Sequence, residues 1–441
     1  MEPSIAGEAL AAGGNEPSTA ARHGTPPARR LLNHAERAEA VHWRILLLSG
    51  LGWLSVFFTL MLFFFLSGLY RLEFDLDDRG VAWIKSCAVG ATGLGGLALG
   101  MLGDRLGRRA AMAWSLALCT VGVAGAALAP SGAWLLACAT LAGFGIGGQW
   151  AAGQTLVGET APPALRARFG ALAQSGAPLG LALATVAAFE IGPRIGWRPV
   201  FAIALVPALL VPALFLFVPE SDLWCARRER VRRGEALDRV TLAELFAPEI
   251  RRVFLVTFLL TVLCMANYWF TVSWLPDLMH RTWQLSLAKS GQWTLVFVGG
   301  SLIGYVLFAT VAERIGRRSA FTAFCGIMAT GTAMLTVFEG AIRGQRNLVL
   351  LFAFVAGVGT GLWSSFGPLY TETFPTRVRA TASGICMNVS RAIQFVAPLL
   401  VVLVGGQDLR GGVALAALFA VGAAAAIWFL PDRPGRRLEI G

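Results

Sequence analysis

Twelve long apolar runs dominate the chain and restrict its fold more than any other feature of the sequence. Each run has about the 20 residues that an α-helix needs to cross the hydrocarbon core of a bilayer. Helices are expected rather than a membrane barrel, because barrel strands would show an alternating pattern over about ten residues. The runs cover residues 45–69, 81–102, 111–129, 133–158, 168–189, 198–218, 251–275, 288–312, 319–338, 347–370, 379–404 and 412–430.

The composition agrees with a membrane protein. Of the 441 residues, 56% are hydrophobic and 14% are charged, whereas soluble domains carry about 25% charged residues. The net charge of +11 comes from short basic clusters between the runs, which is typical of loops that face the cytoplasm. The aromatic residues lie inside the apolar runs and not among the basic clusters, which argues against nucleic-acid binding.

The sequence contains no pattern that indicates catalysis, metal binding or disulfides. It has seven Cys and four His residues, with no C-x-x-C spacing and no His/Cys cluster. It also has no nucleophile–base cluster and no G-x-x-x-x-G-K-[ST] motif for ATP. We therefore predict neither an enzyme nor an ATP-driven pump, with no cofactor and no metal. The G-x-G-x-x-G match at Gly143–Gly148 lies inside an apolar run, so close helix packing is its favoured role.

The distribution of Lys and Arg sets the expected topology. Most of these 37 residues lie on one side if the N-terminus is cytoplasmic, so both termini are expected in the cytoplasm. A long basic loop divides the runs into six and six. The expected organisation is a disordered cytoplasmic tail (1–43), an N-terminal six-helix bundle (44–218), a cytoplasmic basic linker (219–250), a C-terminal six-helix bundle (251–430) and a cytoplasmic tail (431–441).

A short charged loop occurs twice, about half the chain apart. Gly103–Arg109 reads G-D-R-L-G-R-R and Ala312–Arg318 reads A-E-R-I-G-R-R. An E-x-x-P-x-x-x-R element also occurs twice, at Glu159–Arg166 and Glu372–Arg379. Two repeats at nearly the same spacing predict two homologous halves.

Two sets of six runs, the repeated loops and the central basic loop together resemble the major facilitator superfamily. Pro219-Glu220-Ser221 is similar to the P-E-S of its sugar-porter-like branch, but Asn267-Tyr268-Trp269 lacks that branch's glutamines. The nearest resemblance is to bacterial metabolite:proton and aromatic-acid:proton symporters, although run one lacks the aspartates that those often carry. The resemblance implies an all-α membrane protein with twelve transmembrane helices in two pseudo-symmetric six-helix bundles, working by alternating access.

The resemblance also implies that the repeated loops bias a cytoplasmic gate. Their acidic and basic residues can pair with one another or with the E-x-x-P-x-x-x-R elements. The alternative is that the arginines only fix the topology through attraction to the anionic inner surface. The candidate gating residues are Asp104, Arg105, Arg108, Arg109, Glu159, Arg166, Glu313, Arg314, Arg317, Arg318, Glu372 and Arg379.

Arg391 stands in the middle of the eleventh run, and no Asp or Glu lies comparably deep in a run. An Arg at a helix centre costs roughly 2.5–3.5 kcal/mol on insertion scales, and such residues commonly serve function. Pairing with an anionic substrate is one interpretation. The other is a structural role, in which Arg391 caps backbone carbonyls or snorkels to pair with an acid at the end of a run. Helical spacing and polarity give the candidate substrate-binding residues Arg391, Asn388, Gln394, Gln149, Gln154, Asn267, Tyr268 and Trp363, with Gln174 and Pro178 of a similar kind.

The sequence thus predicts a secondary transporter of the bacterial inner membrane that moves a small organic anion, a carboxylate with or without an aromatic ring. Proton-coupled uptake by a monomer is expected from the resemblance. A drug or metabolite efflux antiporter remains an alternative, because Gly176–Gly180 partly matches the G-P-x-x-G-G pattern of exporters. A membrane sensor that binds a ligand without moving it is a second alternative.

Overall fold

A computed structural model describes residues 37–162, 165–234, 242–342, 344–405 and 409–430. Within these ranges the chain forms helices and no strand. Most of the tail predicted over residues 1–43, and the whole of the tail predicted over 431–441, lie outside them. The first helix begins at Ala40, inside the segment that the sequence assigns to the tail.

Helices occupy all twelve of the apolar runs. Among the described residues, eleven helices are long and apolar enough to cross a membrane. The prediction of an all-α membrane protein with two six-helix bundles is therefore confirmed. The helices are α1 (Ala40–Phe65), α2 (Asp78–Leu106), α3 (Arg108–Ala127), α4 (Gly132–Thr160), α5 (Arg166–Gln174 and Gly176–Val186), α6 (Trp197–Ile203 and Leu210–Phe217), α7 (Pro248–Val272), α8 (Leu287–Ile315), α9 (Arg317–Thr336), α10 (Arg346–Gly359 and Phe366–Thr373), α11 (Thr376–Ile393 and Val396–Gly405) and α12 (Arg410–Ala426).

The sixth helix differs from its prediction as one continuous span. A 3-10 turn at Val206–Leu209 separates the two pieces of α6. The run contains Pro207 and Pro212, and a proline in a helix interior removes a backbone donor and clashes with the preceding turn. The apolar character of the run is retained, but its helix is broken.

The repeated loops form the same turn in both halves. Gly107 separates α2 from α3 with a φ of +107°, and Gly316 separates α8 from α9 with a φ of +83°. Side chains other than glycine rarely adopt such angles. The shared conformation explains why the second glycine of the motif is present in both copies. We call the end of the molecule that carries these two turns the basic end, and the opposite end, where α2 begins at Asp78, the distal end.

Equivalent helices make equivalent contacts within each half. In the N-terminal half α2 and α3 pack on α4, and α1 packs on α5. In the C-terminal half α8 and α9 pack on α10, and α7 packs on α11. The repeats in the sequence therefore correspond to a repeat of the helix arrangement.

The two halves meet along two helix pairs. α2 packs on α11, and α5 packs on α8. The first pair is very close: a Cβ built on Gly93 would lie 2.3 Å from the Ala392 nitrogen. Small residues allow such backbone approaches in membranes, where lipid provides no hydrophobic drive for helix association. These two seams flank the space in which the candidate site lies.

Candidate functional site

A cavity lies between the two halves, near the middle of the helices. Its empty volume is about 560 Å³, including its opening to solvent, which is in the range of small-molecule sites. Its wall is mostly aromatic and apolar with a few polar groups, and none of its lining residues in the described part of the chain is Asp or Glu. The lining residues are Trp53, Phe57, Leu60, Thr92, Ile146, Trp150, Gln174, Ala177, Met265, Tyr268, Trp269, Tyr305, Trp363, Met387 and Arg391.

Arg391 brings a positive charge into this cavity from α11. The residue is only 7% exposed. Its guanidinium carbon lies 5.5 Å from the ring centre of Trp150 and 5.9 Å from that of Trp53, within the range of cation–π attraction. Its Nη1 atom has no hydrogen-bond partner among the residues that the structure describes. A buried donor without a partner is costly, and a guanidinium in such a place can donate hydrogen bonds to an anion.

A hydrogen-bonded group holds one wall of the cavity in place. The Trp150 indole N–H donates to the side-chain oxygen of Gln174 at 3.0 Å, and Gln154 donates to the same oxygen at 3.3 Å. The bonds join α4 to α5 and fix the orientation of the Trp150 ring beside Arg391. Gln154 thus stands one layer behind the cavity wall.

The opposite wall is a set of aromatic rings from α7, from α10 and from the 3-10 segment Thr360–Ser365 that joins the two pieces of α10. Tyr268 and Trp363 meet edge to face, with ring centres 6.0 Å apart. Trp363 stacks on Phe366 with ring centres 4.8 Å apart and an angle of 25° between the planes. Such contacts hold large side chains in one orientation, so the wall offers ring surfaces to a planar ligand.

Of the eight residues predicted to bind substrate, the structure places Arg391, Tyr268 and Trp363 together on the cavity wall. The other five lie outside its lining. Two of them contact a neighbouring helix: Gln394 donates to the carbonyl of Val262 on α7 at 3.4 Å, and the Gln149 side chain packs against α1, where a Cβ on Gly52 would be. The five are Gln149, Gln154, Asn267, Asn388 and Gln394.

Several wall residues carry no polar signal in the sequence. Trp53 and Trp150 could have been found from their position, because membrane tryptophans usually lie at the interfaces whereas these two lie well inside their helices. Trp269 lies in the last turn of α7, where the sequence gives no such signal. The sequence offers no comparable signal for the apolar and hydroxyl-bearing wall residues. Those are Phe57, Leu60, Thr92, Ile146, Ala177, Met265, Tyr305 and Met387.

At the basic end, an ion network surrounds Arg108. Its guanidinium lies 2.7 Å from the Asp104 carboxylate and 3.1 Å from the Glu159 carboxylate. The Arg108 backbone N–H, at the start of α3, donates to Glu220 at 2.8 Å. The Trp224 indole N–H of the linker donates to the Asp104 carbonyl at 2.9 Å. The first repeated loop, the end of α4 and the start of the linker are therefore joined in one cluster.

The C-terminal half repeats part of this arrangement. Arg317, the counterpart of Arg108, pairs with Glu372, the counterpart of Glu159. Arg318 donates to the Leu430 carbonyl, as Arg109 donates to the Val218 carbonyl at 3.1 Å. The remaining candidate gating residues are placed differently. Arg105 and Arg314 are exposed and Arg379 donates to the Phe374 carbonyl, while the side chains of Arg166 and Glu313 lie outside the described residues.

Replacing Glu220 by alanine should destabilise the protein, because the carboxylate caps the first N–H groups of α3. Loss of such a cap costs about 0.5–2 kcal/mol. We expect a lower melting temperature in detergent. The matched control is Glu229→Ala, in the linker helix Asp222–Arg232: its side chain is 52% exposed and pairs with Arg233. Equal melting temperatures for the two variants would contradict the capping role.

A central cavity between two symmetric helix bundles is the architecture of a membrane transporter. A family model confirms the class: the Major Facilitator Superfamily model matches residues 45–398 and 257–440. The chain belongs to this superfamily and is a multi-pass membrane protein.

Individual relatives and structures agree with this assignment. The chain is 28% identical to the niacin transporter NiaP of Acinetobacter baylyi, over 82% of this chain and 86% of that protein. It is 30% identical to a probable 4-methylmuconolactone transporter of Cupriavidus pinatubonensis, over 78% and 79% of the two chains. Its fold matches the partially occluded, inward-open xylose transporter XylE of Escherichia coli with a TM-score of 0.74, at 18% identity over 91% of this chain and all of that one.

Proposed function

We propose that the protein is a secondary transporter that takes up a small organic carboxylate across the bacterial inner membrane. The observation that carries the proposal is the buried Nη1 of Arg391 in the central cavity, which has no hydrogen-bond partner among the described residues. A guanidinium binds a carboxylate through two parallel, charge-assisted hydrogen bonds. A bound carboxylate would supply a partner for this atom.

The walls of the cavity favour a planar body on this anion. Trp53 and Trp150 lie on the Arg391 side, and Tyr268 and Trp363 present rings opposite. Aromatic faces give large apolar contact and prefer offset or edge contacts with other rings. The similarity to a niacin transporter supports this substrate class, since niacin is a pyridine carboxylate.

The transport cycle that we propose is alternating access. The two halves would rock around the cavity, with the basic end and both termini in the cytoplasm. The networks around Arg108 and Arg317 would bias the opening of that end, and the other candidate gating residues would act with them. Coupling to protons is part of the proposal through the family resemblance. The polar candidates outside the cavity wall would hold the helices that carry it.

Counterflow in proteoliposomes tests the substrate class with three compounds of similar shape. Vesicles loaded with unlabelled benzoate, benzamide or benzylamine receive the labelled form of the same compound outside. We expect transient accumulation of the anion benzoate only, because the cavity has a positive charge and no acidic lining residue in its described part. An acidic exterior should speed net benzoate uptake if protons are coupled.

Protein-free vesicles give the baseline for passive permeation of benzoic acid. Accumulation of benzylamine without benzoate would reject the anion site and favour an exporter of cations. Saturable benzoate binding without any counterflow would favour a sensor. Uptake of benzoate that is insensitive to the pH gradient would reject proton coupling and leave the substrate class intact.

A further inference from the structure

A fully buried lysine joins the two halves at the distal end. The ammonium of Lys85, on α2, lies 3.0 Å from the carboxylate of Asp277 and 3.0 Å from the carbonyl of Ser273. It also lies 3.6 Å from the ring centre of Trp274. The Lys85 side chain has no exposed surface, and that of Asp277 is 22% exposed. Lys85 belongs to the N-terminal half, and its three neighbours belong to the C-terminal half.

The position of Lys85 places it on the route to the cavity. Asp78, Lys85 and Thr92 are spaced by seven residues, so they share one face of α2. Thr92 lines the cavity, and seven residues of helix separate it from Lys85 by about 10 Å. Asp78, at the distal end, pairs with Arg281 at 2.6 Å and with Arg71 at 2.9 Å. The stripe therefore runs from the distal surface, through Lys85, to the cavity that holds Arg391.

The partners of Lys85 must separate when the distal end opens. Asp277 and Arg281 lie on one helix, Leu275–Trp283, which follows α7 in the C-terminal half. Rocking of the halves would pull this helix away from α2 and break both inter-half ion pairs. A cation in such a position is costly without a counter-ion. A substrate carboxylate that enters from the distal side has the same chemistry as the Asp277 carboxylate that moves away from Lys85.

We propose that Lys85 is a second anion site, on the access path from the distal end to Arg391, at which Asp277 replaces the substrate carboxylate while that end is closed. The proposal rests on the proposed function, because the anion is the one that Arg391 would bind. Exchange between Asp277 and the incoming carboxylate keeps Lys85 paired in both conformations. The exchange also links anion capture to opening of the distal end.

The test compares two double variants that remove an ion pair and retain its bulk. Lys85→Met with Asp277→Leu removes the inter-half pair. Arg198→Met with Glu73→Leu removes a pair within the N-terminal half, at the same end, where Arg198 lies 2.7 Å from Glu73. The Michaelis constant for external benzoate is measured by counterflow. We expect it to rise about tenfold in the first variant, as for a lost charge-assisted bond, and to stay within about twofold in the second.

An unchanged Michaelis constant in a folded Lys85→Met/Asp277→Leu protein would overturn the proposal, because the pair would then act only as a structural contact. If this variant does not fold, Asp277→Asn is the deciding variant. It keeps Lys85 but removes the carboxylate that competes with the substrate for it. The Michaelis constant of the Asp277→Asn protein for benzoate should fall. A constant that is unchanged or higher would also overturn the proposal.

A binding measurement separates this proposal from the proposed function. In protein that carries Arg391→Ala, benzoate should still raise the melting temperature when Asp277→Asn is present. Adding Lys85→Met should abolish that stabilisation. Stabilisation that depends on Lys85 supports the second site even if Arg391 has no role in transport. Stabilisation that survives Lys85→Met would place the anion elsewhere and reject the site.

Discussion

Replacing Arg391 by alanine should abolish benzoate counterflow while the protein remains folded. Removing one partner of a buried, hydrogen-bonded charge pair costs about 2–5 kcal/mol, so a loss of transport of at least about 30-fold is expected. The melting temperature without substrate should stay the same or rise, because the substitution removes a buried donor that has no partner among the described residues.

The melting temperature distinguishes a binding role from a structural one. If Arg391 served to hold the helices together, alanine would lower the stability of the empty protein as well as its transport. Arg391→Lys keeps the charge but not the planar fork, so it should transport weakly with a raised Michaelis constant. Arg233→Ala, at a side chain that is 68% exposed in the linker, controls for the loss of a positive charge alone. Normal counterflow in Arg391→Ala would reject the site.

The repeated motifs predict part of the pairing at the basic end. The sequence pairs Glu159 with the first repeated loop because the two repeated elements follow the second and the fourth membrane runs, which must end on the same side. The structure brings the Glu159 and Arg108 side chains to 3.1 Å, and brings Arg317 to Glu372 in the other half. Glu220, by contrast, was noted only for its family resemblance. Its bond to the start of α3 depends on where the linker turns, and no local pattern contains that information.

The cavity wall was harder to predict from the sequence, for a physical reason. The candidate substrate-binding residues are chosen mainly for their polarity. A polar side chain inside a membrane either lines a cavity or forms its hydrogen bonds with a neighbouring helix. Gln394 takes the second course: it follows the first piece of α11 and donates to the carbonyl of Val262 on α7 at 3.4 Å. The wall itself is largely aromatic, and a ring inside an apolar run looks the same whether it faces lipid, core or cavity.

The ion pair at the distal end shows a further limit of local patterns. The sequence shows Lys85 as a charged residue near the end of a run, but it does not show that the side chain is buried. Its partner Asp277 is 192 residues away, in a segment that follows α7 and belongs to the other half. Only the way in which the halves pack decides which faces of α2 and α7 meet, so the sequence alone did not suggest this pair.

Replacing Gly147 by alanine should destabilise the N-terminal half and impair transport, because α2 and α4 touch there without room for a methyl group. A Cβ on Gly147 would lie 1.8 Å from the Thr92 carbonyl oxygen and 2.5 Å from the Gly96 nitrogen. Both are backbone atoms, so the helices themselves must separate. Overpacking of this kind costs about 1–3 kcal/mol or more. Thr92 also lines the cavity, so the displacement reaches the binding site.

Gly158 provides a control within the same helix. It lies near the end of α4, and a Cβ there would meet nothing within 4 Å. Alanine favours a helix over glycine by up to about 1 kcal/mol, so Gly158→Ala should leave the melting temperature unchanged or raise it. Gly147→Ala gains the same helix preference and must still lower the melting temperature, because the clash with α2 is larger. Equal stability of the two variants would mean that α2 and α4 do not pack this closely beside the cavity.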